Sequence, residues 1–96
     1  MKLEKIKERE VNQLFDAILS LKDREECQKF FDDLCTVNEV HSIAQRLEVA
    51  RLLKTGATYL KIEKETGAST ATISRVKRSM TLGHGTYDIV FERLKI

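Results

Sequence analysis

Apolar side chains recur every three or four residues along most of this chain, which is the spacing of one face of an α-helix. The first such stretch predicts a helix whose face carries Val11, Leu14, Phe15, Ile18 and Leu21. Asp23 can cap a second helix, because its carboxylate can accept a hydrogen bond from an amide at the helix start. The apolar positions of this second helix are Cys27, Phe30, Phe31 and Leu34.

A longer apolar stripe predicts the third helix. Thr36 and Glu39 have the spacing of a capping box, in which the two side chains satisfy free amides at a helix start. Gly56 is expected to end this helix, because glycine readily adopts the left-handed conformation that closes helices. The stripe between these signals consists of Val40, Ile43, Ala44, Leu47, Ala50 and Leu53.

Two shorter helices, at about 59–66 and 70–81, are predicted on either side of the turn Gly67-Ala68-Ser69. Two helices joined by a three-residue turn that contains glycine are typical of a helix-turn-helix. The side chains expected to pack the two helices together are Ile62, Ala68, Ile73 and Val76. A final amphipathic helix, with Tyr87, Ile89, Val90, Phe91 and Leu94, follows the glycines at 83 and 85. The pattern therefore predicts an all-α protein of six helices.

Composition agrees with this fold class and indicates a single domain over residues 1–96. The chain has no proline, four glycines and no tryptophan, with two tyrosines and four phenylalanines to fill a core. A chain of this length buries little surface by itself, so a second copy is expected to cover its remaining apolar faces. We predict a homodimer that pairs through helices at about 3–54 and 86–95. The side chains expected on the paired faces are Leu14, Phe15, Ile18, Phe30, Phe31, Tyr87 and Phe91.

Other classes of protein find little support in the sequence. No apolar run has the length of a membrane span or the form of a signal peptide, so we expect a cytoplasmic protein with no membrane partner. Cys27 and Cys35 are separated by roughly 12 Å of helical rise, which is too far for a disulfide. With His41 and His84 they give neither a metal-ligand spacing nor a nucleophile-base pattern. We predict no cofactor and no enzymatic activity.

Positive charge is concentrated on the predicted helix-turn-helix. The stretch from Lys54 to Arg78 contains six basic and two acidic residues, so it carries +4 while the rest of the chain carries −2. Such a surface attracts a phosphate backbone and releases counterions on contact. An ordinary solvated helical hairpin is the alternative interpretation of the same pattern.

The second helix of the motif has the two faces that a reading helix needs. If Ile73, Val76 and Met80 face the core, a rotation of about 100° per residue places Ala71, Arg75 and Arg78 opposite them. Small residues at the leading end fit a major groove about 12 Å wide, and arginine reaches guanine edges or phosphates. Lys77 is expected nearer the buried side, directing its ammonium toward the DNA backbone or solvent. The candidate DNA-contacting residues are Lys61, Lys64, Ser69, Thr70, Ala71, Thr72, Ser74, Arg75 and Arg78.

The stretch RLEVARLLKTGATYLKIEKETGASTATISRVKRS resembles the core of the Trp repressor family in its leucine pair, its glycine turn, and "ATI" followed by a hydroxyl residue and arginine. The whole chain looks closer still to the small YerC/YecD-type Trp-repressor-like proteins. The resemblance implies a six-helix fold in which the N-terminal helices of two chains interlock. It also implies transcriptional regulation through double-stranded DNA.

The resemblance is weaker at the residues that bind the ligand of the Trp repressor. In the Trp repressor, tryptophan lies between two arginines, and a glycine follows the second one. Here Arg75 matches the second arginine, Val76 stands where the glycine would be, and Gln45 takes the place of the first arginine. Since the Val76 isopropyl group would fill the space of the indole, tryptophan is not expected to bind, and another effector or none remains open.

Two functions from different classes fit these observations. The first is a homodimeric, sequence-specific DNA-binding regulator of transcription, expected to act as a repressor. The second is a helical protein-protein interaction module that uses the same fold without specific DNA binding. The basic stretch and the hydroxyl-rich helix favour the first.

Overall fold

The computed structural model describes residues 7–96, and within that range it contains six α-helices and no strand. The all-α, six-helix prediction is therefore confirmed. Residues 3–6, where the predicted pairing region begins, lie outside the described residues. The helices are α1 (Glu8–Leu19), α2 (Arg24–Leu34), α3 (Val37–Lys54), α4 (Tyr59–Thr66), α5 (Thr70–Leu82) and α6 (Thr86–Leu94).

Residues 7–37, with α1 and α2, belong to one compact unit. The predicted cap at Asp23 is confirmed, since its Oδ1 accepts from the Glu26 backbone N–H at 2.9 Å. The Lys22 N–H donates to Glu26 Oε1 at 2.8 Å, so side chains satisfy a second backbone amide just before α2. The prediction for Leu21 was wrong: α1 ends at Leu19, where the Ser20 hydroxyl bonds back to the carbonyl of Ala17 at 2.6 Å.

Asn38–Ile96 form a second compact unit. Its core is supplied by the C-terminal half of α3, the pair α4–α5 and α6. The buried side chains are Val49, Ala50, Leu52, Ile62, Ala68, Ile73, Val76 and Phe91. The four residues predicted to hold the helix-turn-helix together, at positions 62, 68, 73 and 76, all belong to this core.

The third helix does not bury the whole stripe that its sequence suggests. Val40, Ile43 and Leu47 are exposed, whereas Ala50 lies in the core and Leu53 packs against it. Within the second unit, the core side chains of α3 all come from its last turns. The apolar stripe therefore extends toward the N-terminal end of α3, beyond the segment that packs in the core.

The assignment of Phe91 to a dimer face was wrong, because its side chain is completely buried within the single chain. Phe91 joins the core from α6, with the Tyr87 ring tilted against it at 6.3 Å between centroids. Lys54 secures the same helix to the end of α3. Its Nζ lies 5.6 Å from the centre of the Phe91 ring and 3.3 Å from Asp88 Oδ1.

Local signals set the ends of α4 and α5 close to where the sequence predicts them. Thr58 Oγ1 accepts from the Lys61 N–H at 3.2 Å and begins α4. Gly67 ends it at φ 75°, and its N–H donates to the Glu63 carbonyl at 2.8 Å. Ser69 Oγ accepts from the Thr72 N–H at 3.2 Å and begins α5. Between residues 7 and 96, no helix combines the length and apolar character that crossing a membrane requires.

Candidate nucleic-acid interface

The helix α5 has one face in the core and the opposite face in solvent. Ile73 and Val76 are 0% and 2% exposed, and they hold the helix against α3, α4 and α6. On the other side, a shallow depression is lined by Ala71, Ser74, Arg75 and Arg78, all exposed. The structure thus separates the two faces as the helical spacing predicts, and it leaves the second face open to a partner.

Ser69 and Thr72, at the N-terminal end of α5, take part in capping the helix. The Ser69 hydroxyl accepts from the Thr72 N–H and donates to Thr72 Oγ1, both at 3.2 Å. Thr72 is half-buried, whereas Thr70 and Ala71 beside it are exposed. The Thr72 hydroxyl is therefore oriented by Ser69, with its own hydrogen left to donate to another group.

The basic side chains on this surface differ in how far their charge is compensated. Lys61 Nζ lies 4.0 Å from Glu65 Oε1, one turn along α4. In the range 7–96, no carboxylate lies within ion-pair distance of Lys64, Arg75 or Arg78. Lys77 of α5 likewise has no ion pair among residues 7–96, so these four cations are the uncompensated positive charge of α4 and α5.

Arg51 of α3 does not add to this positive surface. Its Nε and second guanidinium nitrogen donate to the two carboxylate oxygens of Glu48 at 2.7 and 2.8 Å. The hydrogen bond from Arg51 keeps the pKa of the Glu48 carboxyl below its ordinary value, and Glu48 raises the pKa of Arg51 in turn. The charge of Arg51 is therefore balanced within α3.

Lys77 lies on the flank of α5 and contacts Tyr59, the first residue of α4. Its Nζ is 5.8 Å from the centre of the Tyr59 ring, at the edge of a cleft of about 400 Å³. The other residues that line this cleft are Leu53, Gly56, Ala57, Met80 and Thr81. No sequence pattern indicates the contact between Lys77 and Tyr59, because it depends on how α4 and α5 cross.

Residues 9–95 match the protein family described as "Trp repressor protein". The chain belongs to the Trp repressor family. It is 61% identical over 95 residues to YerC of Bacillus subtilis (strain 168), an uncharacterized protein, and the match covers 99% of this chain and 91% of YerC. The family is one of helix-turn-helix proteins that bind DNA and regulate transcription, and α4 and α5 supply that motif here.

Two solved structures of Trp repressor relatives share the fold. One is a Trp repressor candidate from Staphylococcus aureus, with a TM-score of 0.94 and 56% identity over 100% of this chain and 96% of that one. The other is a TrpR-like protein from Eubacterium eligens ATCC 27750, with a TM-score of 0.92 and 57% identity over 97% of this chain and 96% of that one. The predicted resemblance is therefore confirmed.

Two residues stand where the sequence departs from the Trp repressor pattern. Val76 is buried beside Ile73, so its isopropyl group is part of the core, as the helical spacing predicts. Gln45 of α3 donates from Nε2 to the carbonyl of Thr66 at 3.0 Å, across to the end of α4. Sequence reasoning placed Gln45 beside the family's ligand but missed this contact, which joins residues 21 positions apart.

Cysteine and histidine form no site in the part of the chain that the structure describes. Cys27 and Cys35 are both free and half-buried in α2 and at its end. Residues 7–96 contain no cluster of three His, Cys, Asp or Glu side chains suited to hold a metal ion. The exposed face of α5 is thus the candidate site that the geometry supports best.

Proposed function

We propose that the protein is a homodimeric, sequence-specific DNA-binding regulator, acting as a repressor, that places α5 in the major groove. The observation that carries this proposal is the pair Arg75 and Arg78, exposed and uncompensated on a helix whose opposite face is fixed in the core. Rigid presentation matters, because a bidentate arginine contact to a guanine edge tolerates little change in angle.

The remaining candidate residues differ in how far their side chains reach. Thr70 and Ala71 at the start of α5 are small enough to let the helix approach base edges closely. Ser69, Thr72 and Ser74 add hydroxyls that can bond to bases or to phosphate oxygens. Lys61 and Lys64, on α4, are assigned to the phosphate backbone, where lysine acts as a point charge that carries no sequence information.

Selection from a random duplex pool tests this function directly. We expect the wild-type protein to enrich a palindromic sequence, with half-site centres about 34 Å apart, as two symmetry-related reading heads require. Binding to the enriched duplex should weaken steeply as salt rises, since phosphate contacts release counterions. A pool that shows no enrichment after repeated rounds would contradict the proposal.

The protein-protein interaction module remains the second candidate. The observation in its favour is the exposed apolar side of α6, with Ile89, Val90 and Leu94. A surface of this kind binds by burying apolar area, so its affinity for a partner should change little with salt. Fluorescence anisotropy that shows weak affinity for every duplex, with no dependence on salt, would favour this function over DNA binding.

Dimerisation is expected because both compact units expose apolar side chains. The first exposes Leu14 and Phe15 of α1, and the second exposes Val40, Ile43 and Leu47 along one side of α3. Sedimentation equilibrium at micromolar concentration should give about twice the chain mass of 11.1 kDa. Ile43→Glu should shift this mass toward the monomer, because a buried unpaired charge is costly.

His41→Glu is the matched control for Ile43→Glu. It adds the same side chain at an exposed polar position on the same helix, about 200° around the axis from Ile43. This variant should keep the wild-type mass. A wild-type protein that sediments as a monomer at these concentrations would exclude the dimer.

The proposed regulator does not respond to tryptophan, because Val76 occupies the space that an indole would need against α5. Isothermal titration of the wild-type protein with L-tryptophan should give no saturable heat, and the ligand should not raise the melting temperature. Val76→Gly should cost about 1 kcal/mol or more in folding stability, because it removes buried carbons and loosens the helix. Saturable uptake by the wild-type protein would refute this proposal.

A further inference from the structure

Gln45 makes a polar contact between α3 and the helix-turn-helix. Its Nε2 donates to the carbonyl oxygen of Thr66 at 3.0 Å, in a half-buried position. The same nitrogen lies 4.0 Å from where a Cβ on Gly67 would be, so the amide rests against the turn itself. The carbonyl of a last helical residue has no partner inside its helix, and here a side chain from another helix supplies one.

Thr66 is the residue around which the turn is organised. Its Oγ1 donates to the carbonyl of Ile62 at 2.7 Å and accepts from the N–H of Ala68 at 3.1 Å. Ala68 is followed directly by Ser69, the N-cap of α5. A bond that holds Thr66 therefore acts on the point from which the reading helix starts.

We propose that Gln45 is a positioning residue for DNA recognition: it sets the placement of α5 relative to α3 without contacting DNA. The core side chains that pack α4 and α5 on α3 are apolar, among them Val49, Ile62 and Ile73. Apolar packing has no preferred direction, whereas a hydrogen bond fixes both distance and angle. With this bond the chain's own amide holds the turn from which the reading helix starts.

This inference rests on the proposed function, and Gln45→Met tests it. Methionine matches the length and much of the volume of glutamine but has no donor for the Thr66 carbonyl. We expect affinity for the selected duplex to fall about three- to tenfold, the loss that corresponds to one hydrogen bond. The salt dependence should stay as in the wild type, because no phosphate contact is removed.

Gln28→Met is the matched control, since Gln28 is exposed on α2 and lies far along the chain from the turn at Gly67. It should leave affinity unchanged. Gln45→Lys should restore the ratio of specific to non-specific affinity, because lysine again offers an N–H to the carbonyl. Taking this ratio cancels the general effect of the added charge. If Gln45→Met does not fold, Gln45→Asn serves instead, because its amide is too short to reach Thr66.

Amide hydrogen exchange separates positioning from a loss of overall stability. In Gln45→Met the N–H groups of Gly67 and Ala68, which bond to Glu63 and Thr66, should exchange faster, while those in the middle of α6 should not change. Unchanged exchange together with unchanged affinity would overturn the inference. If the wild-type protein bound no DNA, the proposed function and the affinity effect would both fail. Exchange at the turn would still decide whether Gln45 holds Thr66.

Discussion

Replacing Phe91 with alanine should lower the free energy of unfolding by about 3 to 5 kcal/mol, the usual cost of removing a buried phenylalanine. Its side chain is the largest of those fully buried between residues 7 and 96, and it fastens α6 to the core. The change also takes away the ring over which Lys54 lies. Urea denaturation followed by circular dichroism should show a lower midpoint with little change in slope.

Glu92→Ala is the control for Phe91→Ala, because Glu92 follows Phe91 on the same helix and is exposed. Its effect should stay within about 0.5 kcal/mol, as for most surface substitutions. If the two variants unfolded at the same urea concentration, the Phe91 side chain would not fasten α6 to the core.

Replacing Arg75 with alanine should reduce affinity for the selected duplex by about fivefold to about 150-fold, equivalent to about 1 to 3 kcal/mol for a lost base contact. The preferred sequence should change as well, because the guanidinium is assigned to a base edge. Arg75 is exposed and belongs to no core contact, so the circular dichroism spectrum should remain native. Repeating the selection with the variant measures the change in preference.

Lys64→Ala provides the comparison for Arg75→Ala. Lys64 is assigned to phosphate, so its loss should weaken all duplexes alike and reduce the salt slope by about one unit. The orientation assigned to α5 would be refuted if Arg75→Ala left both affinity and sequence preference as in the wild type.

The helix ends and the turn could be predicted from sequence because their causes are local. Thr58, Gly67 and Ser69 each act on backbone groups within a few residues, and the structure places them at the helix boundaries. The two faces of α5 follow from helical geometry alone once Ile73 and Val76 are taken as buried. These are the features of the candidate site for which sequence reasoning had a sufficient physical basis.

Features that depend on packing between distant residues could not be predicted. Phe91 is apolar whether it fills the core or faces a partner, so its sequence position does not distinguish the two. The same holds for Leu47 and Ala50, which share a stripe on α3 but differ in burial. The bond from Gln45 to Thr66 spans 21 positions, and no local pattern marks it.

The division of α5 into two faces bears on how the protein can evolve. Ile73 and Val76 belong to the core, whereas Ala71, Ser74, Arg75 and Arg78 line the open side. Substitutions on the open side leave the core contacts intact, so mutations there can accumulate without first requiring a compensating stabilisation. After a gene duplication, two copies of this scaffold could diverge in what their open side binds while both remain folded.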